Sequence, residues 1–394
     1  MEDFMDIIIT PTRLSGVITP PPSKSQAHRL LIAACLAGGE GRVSNVAESQ
    51  DIAATRACMA ALKSPGEGLP ALPCGESGST LRFLIPMALA LRGGGVFTGR
   101  GRLMERPQEP YYEIFREKDI FYEQGDGALT VRGALTPGVY ALAGNVSSQF
   151  VTGLLYALPL LPGPSEIRLT TPLESAGYVD MTLDALARFG VVVEYDGERV
   201  FHIPGGQIYK PQDCAVEPDW SQAGFWYAAK GIGNAVETIG MNLNSAQGDR
   251  VLEAWAAELS RPGEVELDLS GSPDLAPPIA AWCALRDGQV TRLVNAARLR
   301  IKESDRLSAI ASELTRLGGK IEEGADSLTI RGVPTLRGGE VDSHNDHRIA
   351  MMAAIAATRA DGPVKLRGAD SVRKSYPNFW EDYAVLGGIF TAIG

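Results

Sequence analysis

Hydrophobic and polar positions follow a recurring order along this chain: a short apolar strand, a polar or glycine-rich turn, an apolar helix, and further strands. The helical runs LLIAACLAGG, FLIPMALALRGG and FVTGLLYALPLL each come directly after a polar turn. The first two end at glycines, which commonly terminate helices. Shorter apolar runs at residues 7–9 and 16–18 predict strands. This order is typical of an α/β protein, and its irregular spacing excludes a short-period solenoid.

Two polar, proline-containing segments interrupt this order. Pro20, Pro21 and Pro22 stiffen the chain near its start, and residues 211–219 (PQDCAVEPD) form a second interruption. A chain of 394 residues is long enough for two or more domains. We therefore expect two similar domains with crossings near 20–22 and 211–219: a discontinuous domain I of residues 1–20 plus 218–394, and a domain II of residues 21–217.

The predicted helix starts carry most of the clustered lysines, arginines, serines and glycines. Backbone N–H groups at a helix start favour anions, and convergence of several starts would create an anion-attracting pocket. Seven cations in these clusters exceed what a single phosphate needs, which suggests two anionic ligands. These cations are Lys24, Arg29, Arg106, Lys302, Arg306, Arg348 and Lys374.

Residues 300–307 (RIKESDRL) are the most highly charged of these helix starts. If the helix begins near Ser304, Lys302 and Glu303 lie at its entrance and Arg306 lies in its first turn. One interpretation is a solvated helix start with i,i+3 and i,i+4 ion pairs. The other is a site that holds an anion and moves a proton, for which Asp274 and Glu303 are the available carboxylates.

Composition narrows the possible partners. The net charge of −10 argues against nucleic acid as a bulk partner. The five cysteines are isolated and odd in number, which favours a reducing cytoplasm over a disulfide framework or a zinc ribbon. The acidic N-terminus is unlike a signal peptide, and no run of about 18 apolar residues predicts a membrane span. His344 and His347 lack the companions of a metal site, so we expect no metal.

Eight motifs together closely resemble the 5-enolpyruvylshikimate-3-phosphate synthase family of enolpyruvyl transferases. They are PPPSKSQAHR, CGESGSTLR, MERP, GNVSSQF, SPD, RIKESDRL, NDHRIAM and RKSYPNF, in the family's order and over nearly the whole chain. The resemblance implies two globular domains, each of three βαβαββ units in an inside-out α/β barrel, with the active site in the interdomain cleft. It also implies a cytoplasmic enzyme, commonly a monomer, of the shikimate pathway to chorismate and the aromatic amino acids, and a target of glyphosate.

The reaction implied by the resemblance transfers the enolpyruvyl group of phosphoenolpyruvate to the 5-hydroxyl of shikimate 3-phosphate and releases phosphate, without metal or organic cofactor. The implied catalytic residues are Asp274 as base on the hydroxyl, Glu303 as proton donor to C3, and Lys24. Implied contacts to shikimate 3-phosphate are Lys24, Ser25, Arg29, Ser147, Ser148, Gln149, Ser175, Tyr178, Asp274 and Lys302. Implied contacts to phosphoenolpyruvate are Lys24, Gly78, Arg106, Gln149, Arg306, Arg348 and Lys374.

Two residues depart from the family's common pattern, in which Asn is frequent at the positions of Glu76 and Arg298. A carboxylate at position 76 would repel phosphoenolpyruvate, pair with a cation, or point away. The response to glyphosate is therefore left open by the sequence.

Two alternatives to this function use the same scaffold. The sister enzyme that uses UDP-N-acetylglucosamine shares the fold, but it carries a catalytic cysteine in the loop corresponding to residues 100–107, and this chain has none there. It also has Lys-Asn where this chain has Lys24-Ser25. The second alternative, a non-catalytic anion-binding protein on the same scaffold, would release no phosphate from the two substrates.

Overall fold

The computed structural model describes residues 5–39 and 42–393, so residues 1–4, 40–41 and 394 of the two predicted domains lie outside the described part. The chain divides into two compact units. Unit 1 comprises Met1–Ser23, Glu217–Ser245 and Asp249–Gly394. Unit 2 comprises Lys24–Val216 and Ala246–Gly248. Each unit is described by itself below.

The β-strands of the described residues are short, as expected for sheets covered by helices. They are β1 Asp6–Thr10, β2 Ser15–Ile18, β3 Val43–Ser44, β4 Ala71–Pro73, β5 Gly94–Thr98, β6 Phe121–Gly125, β7 Ala128–Arg132, β8 Gly138–Leu142, β9 Ser165–Leu169, β10 Glu194–Tyr195, β11 Val200–Ile203, β12 Cys214–Ala215, β13 Ala235–Thr238, β14 Val265–Asp268, β15 Val290–Val294, β16 Lys320–Glu323, β17 Leu328–Arg331, β18 Gly339–Asp342, β19 Val364–Arg367 and β20 Ile389–Ile393. The predicted strands at 7–9 and 16–18 are therefore present as β1 and β2.

The α-helices of the described residues follow most of the predicted polar turns. They are α1 Lys24–Leu36, α2 Gln50–Lys63, α3 Gly78–Arg92, α4 Glu109–Glu117, α5 Ser148–Ala157, α6 Ala176–Arg188, α7 Trp220–Gly231, α8 Leu252–Leu259, α9 Ala276–Ala284, α10 Arg306–Arg316, α11 His347–Ala357 and α12 Phe379–Val385. Short 3₁₀ helices include Leu103–Glu105, Pro273–Leu275, Ala297–Ile301 and Ala369–Lys374. No helix within residues 5–39 and 42–393 is long and apolar enough to cross a membrane.

Each unit contains the same sheet pattern twice. In unit 1 the sheets run β14-β15-β17-β16 and β18-β19-β1-β20, and in unit 2 they run β4-β5-β7-β6 and β10-β11-β9-β8. In every case two parallel strands flank a crossover helix, and an antiparallel pair completes the sheet. A third, smaller sheet in each unit consists of two parallel strands, β13-β2 in unit 1 and β12-β3 in unit 2. These patterns agree with βαβαββ units.

The crossover helices form the cores. Every residue of α9 and α11 is buried, and α5 is buried except at Gln149. A helix that is apolar all round can satisfy its backbone internally and still be enclosed by sheets and other helices. The polar starts of α5, α9 and α11 lie at the edge of the core, so polar side chains at these positions can reach a ligand.

The two chain crossings lie side by side within unit 1. Pro22 and Pro218 form an isolated antiparallel bridge. The Ser23 amide donates to the Glu217 carbonyl at 2.8 Å, and the Asp219 amide donates to the Pro21 carbonyl at 2.8 Å. The predicted interruptions at 20–22 and 211–219 thus form one paired connection.

Candidate active site

The carboxylate of Asp274 is surrounded by three cations in unit 1. It lies in the 3₁₀ helix directly before α9. Its Oδ1 is 3.2 Å from Lys302 Nζ and 3.0 Å from Arg306 Nη1, and its Oδ2 is 3.1 Å from Arg348 Nη2. Burial would raise the pKa of Asp274, but the charges of Arg348, Lys302 and Arg306 outweigh it and hold the pKa well below its ordinary value. Asp274 is therefore ionised at neutral pH.

Arg306 is the first residue of α10 and its side chain is only 1% exposed. Besides Asp274 it contacts Glu303 (Nη2 to Oε2, 2.7 Å) and Asp346 (Nε to Oδ2, 2.9 Å). Burial would lower the pKa of Arg306, but Asp346, Glu303 and Asp274 raise it. The Asp346 side chain is fully buried and caps α11 by accepting a hydrogen bond from the Arg348 amide at 2.9 Å. A buried cation with these partners is fixed in place.

Arg348 connects the starts of three helices. Its Nη1 donates to Ser221 Oγ at 2.5 Å, in the first turn of α7, and to the Asp274 carbonyl at 3.0 Å, before α9. Lys374 ends a 3₁₀ helix, and its Nζ donates to the carbonyl of Asn345 at 2.7 Å, next to the start of α11. Within unit 1, the polar starts of α7, α9 and α11 therefore meet. We call Lys302, Arg306, Arg348 and Lys374 the cation cluster.

The helix at residues 300–307 begins later than expected. Asp305 caps α10 by accepting from the Ser308 amide at 3.1 Å, so the helix starts at Arg306 rather than near Ser304. Residues 297–301 form a 3₁₀ helix and Lys302 is extended. Lys302 and Arg306 therefore do not share a helix face. They meet because both reach Asp274, a contact between segments far apart in sequence.

In unit 2, Lys24 and Arg29 project from α1. Lys24 Nζ is 2.8 Å from Asp51 Oδ2 on α2. Arg29 Nε donates to Thr182 Oγ1 at 2.9 Å, and its Nη2 donates to the Tyr178 carbonyl at 2.8 Å, both on α6. Burial lowers the pKa of Arg29 to about 10 in spite of the nearby Tyr156 and Tyr178, which leaves it charged at neutral pH.

Gln149 joins the starts of α5 and α3. Its Oε1 accepts from Arg82 Nη1 at 2.9 Å and its Nε2 donates to Ser79 Oγ at 3.0 Å. The Ser147 hydroxyl caps α5 by accepting from the Gln149 amide. Ser148 is the first residue of α5. These side chains stand at adjacent helix starts, where an anion is favoured.

Further predicted contacts in unit 2 lie at or beside the starts of α3, α1 and α6. Gly78 begins α3, and the Arg106 guanidinium lies so close that a side chain at position 78 would collide with it. Ser25 contacts Arg29 through its carbonyl at 2.6 Å. Ser175 precedes α6 with a positive φ of 54° and makes no side-chain cap bond. Its backbone strain is typical of functional turns.

The two departures from the family's pattern stand near the site residues. The Glu76 carboxylate lies against Gly101, between Arg100 and Arg102 in sequence. Arg298 lies close enough to Lys302 for its charge to contribute to the lowered pKa of that lysine, for which burial is the main cause. Both positions therefore alter the local charge.

Five residues that the sequence did not single out contact predicted site residues: Asp346, Asp51, Arg82, Ser79 and Ser221. Asp346 follows a strand and precedes an apolar helix, so its capping role had a visible signal. Ser79 and Arg82 lie in the CGESGSTLR motif. Asp51 and Ser221 carry no local signal, because their role arises from contact with another helix. Within residues 5–39 and 42–393, no group of three His, Cys, Asp or Glu side chains is arranged to hold a metal ion.

Comparisons with known proteins agree on fold and family. A solved EPSP synthase from Acinetobacter baumannii superposes with a TM-score of 0.79 at 23% identity, covering 99% of this chain and 100% of that one. The enolpyruvyl transferase NikO from Streptomyces tendae superposes with a TM-score of 0.77 at 18% identity, covering 99% of each chain. The architecture is thus that of the two-domain α/β enolpyruvyl transferases.

Sequence relatives identify the particular family. A 3-phosphoshikimate 1-carboxyvinyltransferase from Clostridium kluyveri is 45% identical over 97% of this chain and 97% of its own length. The enzyme of the same name from Clostridium acetobutylicum is 42% identical over 96% of this chain and 97% of its own. The family described as EPSP synthase (3-phosphoshikimate 1-carboxyvinyltransferase) matches residues 8–383. This chain belongs to that family and is a transferase.

Proposed function

We propose that this enzyme transfers the enolpyruvyl group of phosphoenolpyruvate to the 5-hydroxyl of shikimate 3-phosphate and releases phosphate. The reaction belongs to the shikimate pathway to chorismate and the aromatic amino acids. The observation that carries the proposal is the Asp274 carboxylate with Lys302, Arg306 and Arg348 at 3.0–3.2 Å. Family membership over residues 8–383 gives the substrates.

Phosphoenolpyruvate carries a carboxylate and a phosphate, which suit several fixed cations and backbone donors. We assign it to Arg306, Arg348 and Lys374 of the cation cluster, together with Lys24, Gly78, Arg106 and Gln149. Shikimate 3-phosphate is assigned to Lys24, Ser25, Arg29, Ser147, Ser148, Gln149, Ser175, Tyr178, Asp274 and Lys302.

In the chemical mechanism the 5-hydroxyl oxygen attacks C2 of phosphoenolpyruvate while C3 gains a proton, which gives a tetrahedral intermediate. Asp274 takes the hydroxyl proton, Glu303 supplies the C3 proton, and Lys24 stabilises the developing charge. The C–O bond to phosphate then breaks and its electron pair stays on the phosphate oxygen, while C3 returns a proton to Glu303 and the proton on Asp274 passes to the released phosphate. The products are the enolpyruvyl ether and inorganic phosphate.

The anions of phosphoenolpyruvate would change the basicity of Asp274. Among the described residues, Arg306 contacts the carboxylates of Asp274, Glu303 and Asp346, and Lys302 and Arg348 also contact Asp274. A bound substrate anion competes with Asp274 for Arg306 and Arg348. Because those charges hold the pKa of Asp274 down, their engagement by substrate raises it and makes the carboxylate a better base.

The direct test is phosphate release. We expect phosphate only when phosphoenolpyruvate and shikimate 3-phosphate are both present, with no release when UDP-N-acetylglucosamine replaces shikimate 3-phosphate. Phosphate release with the nucleotide sugar would favour the sister enzyme. Binding of both substrates without phosphate release would favour a non-catalytic binding protein.

We expect Glu303→Gln to lower kcat by about two orders of magnitude. Glutamine keeps the size and a hydrogen bond to Arg306 but cannot deliver a proton to C3. Solvent deuterium incorporation at C3 of phosphoenolpyruvate should slow in parallel with kcat. Glu322→Gln, on an exposed strand of the same unit, is the matched control and should leave both rates unchanged. Normal deuterium incorporation in Glu303→Gln would refute the assignment.

We also propose a domain assignment, an oligomeric state and a location for this enzyme. Units 1 and 2 correspond to the predicted domains 1–20 plus 218–394 and 21–217, an assignment supported by the division at Ser23 and Glu217. The enzyme acts as a monomer in the cytoplasm, in keeping with its isolated cysteines. Its net charge of −10 opposes binding to nucleic acid.

A further inference from the structure

A strained turn leads into α11 in unit 1. Asp342 ends β18, and His344 and Asn345 both have left-handed backbones, with φ of 53° and 52°. The His344 amide donates to Asp342 Oδ1 at 2.6 Å. Two consecutive non-glycine residues in this region are costly and persist only where surrounding contacts hold them. We call residues 342–346 the 342–346 turn.

The 342–346 turn holds three members of the cation cluster. The Asn345 carbonyl accepts from Lys374 Nζ, and Asp346 contacts Arg306. Asp346 also caps α11 through the Arg348 amide. A change in the turn would therefore move Lys374, Arg306 and Arg348, which are assigned to phosphoenolpyruvate, whereas eight of the ten residues assigned to shikimate 3-phosphate belong to unit 2.

Helix α10 contacts this turn through two of its residues. They are seven residues, or about two helical turns, apart on one face of the helix. The first is Arg306, which contacts Asp346. The second is Glu313, whose side chain is 2% exposed. Its Oε2 accepts from the Asp342 amide at 2.9 Å, and its Oε1 lies 2.9 Å from His344 Nε2. His344 thus anchors the 342–346 turn to the buried carboxylate of Glu313.

We propose that Glu313 and His344 form a positioning pair, which fixes the 342–346 turn and thereby the placement of Lys374 and Arg348 for phosphoenolpyruvate. This proposal rests on the proposed function of the cation cluster. Neither residue touches the substrates. Their effect falls on the affinity for phosphoenolpyruvate and depends on the protonation of His344.

The charges around His344 determine the sign of this dependence. Glu313 faces it from α10, and Asp342 and Asp346 face it from its own segment. Arg316 lies 3.5 Å from Glu313, and Arg367 lies 3.3 Å from Asp342.

The hydrogen bond with Glu313 raises the pKa of His344 above its usual value, against the opposing effect of burial. Burial would raise the pKa of Glu313, but the hydrogen bonds from His344, the Asp342 amide and Ser312 together outweigh it and lower the pKa. The charged pair is therefore complete at low pH and is lost as the pH rises through the raised pKa of His344.

The first test measures KM for phosphoenolpyruvate from about pH 6 to about pH 9, the range in which histidine titrates. In the wild type we expect the KM to rise on the order of fivefold over this range. His344→Asn, which tolerates the left-handed backbone, should show the high KM at every pH, with kcat and the KM for shikimate 3-phosphate changed less than about twofold. Glu313→Gln should flatten the profile in the same way.

The matched control is His202→Asn. His202 also contacts a glutamate, Glu166, at 3.1 Å, but on an exposed strand of unit 2. The pH dependence of the KM for phosphoenolpyruvate in His202→Asn should match that of the wild type. A wild-type profile in His344→Asn, or an equal rise in KM for both substrates, would overturn the proposal.

A second measurement does not depend on activity. All five tryptophans, at positions 220, 226, 255, 282 and 380, belong to unit 1, so their fluorescence reports the unfolding of that unit. The difference in urea midpoint between wild type and His344→Asn should be largest near pH 6 and shrink near about pH 9. A difference that does not vary with pH refutes the positioning pair. If the difference varies but no phosphate is released by the wild type, the proposed function fails instead.

Discussion

Asp274→Asn should lower kcat by about three orders of magnitude while the enzyme still binds phosphoenolpyruvate. Asparagine preserves the shape of the side chain but cannot accept the hydroxyl proton. It also removes the negative charge that competes with the substrate for Arg306 and Arg348, so the Kd for phosphoenolpyruvate should stay constant or fall. Single-turnover phosphate release and equilibrium binding would separate the two effects.

Asp268→Asn is the matched control for this prediction. Asp268 is exposed at the end of β14, where it accepts from the Ser270 amide at 2.8 Å and from Asn295 at 2.9 Å, and it contacts no cluster cation in the described residues. Its kcat should remain within about twofold of the wild type. A kcat for Asp274→Asn within tenfold of the wild type would exclude Asp274 as the base.

Arg306→Met should destabilise unit 1 by about 3–5 kcal/mol. Methionine fills much of the volume but leaves Asp346, whose side chain is fully buried, without its main cation. Asp274 retains Lys302 and Arg348, so most of the loss comes from Asp346. The loss should appear as a lower urea midpoint in tryptophan fluorescence, together with weaker phosphoenolpyruvate binding.

The control for Arg306→Met is Arg292→Met. Arg292 pairs with Glu266 at 3.5 Å, and both side chains are more than half exposed. Exposed pairs of this kind contribute little, so its stability should change by less than about 0.5 kcal/mol. Equal stability of Arg306→Met and the wild type would show that the buried network does not hold the turn and α10 together.

The sequence predicted much of the fold because the local signals are strong. Apolar runs that follow polar turns predicted α1, α3 and α5. Arg306 lies in the first turn of α10, as the sequence suggested, but the helix begins two residues after Ser304 because Asp305 is its cap. Capping depends on which side chain reaches the free backbone amide. The spacing of polar residues in the sequence does not determine this geometry.

Some candidate site residues were predicted from the sequence, and others became visible only in the structure. Lys302, Arg306 and Arg348 were predicted from charge at helix starts, and the structure brings them to one carboxylate. Asp51 and Glu313 gave no signal, since each is an ordinary acidic residue on an amphipathic helix until its partner is known. The assigned roles in substrate binding remain predictions for the experiments above.

The sequence by itself determined the α/β class, the family, and the concentration of cations at the starts of apolar helices, since these follow from local patterns and motifs. Only the tertiary structure decided that residues 300–307 act as several contacts rather than one charged helix face. Lys302 and Arg306 reach Asp274, Arg306 also holds Asp346, and α10 carries Glu313 two turns further to His344. Buried charges need partners, and those partners come from segments that are distant in sequence.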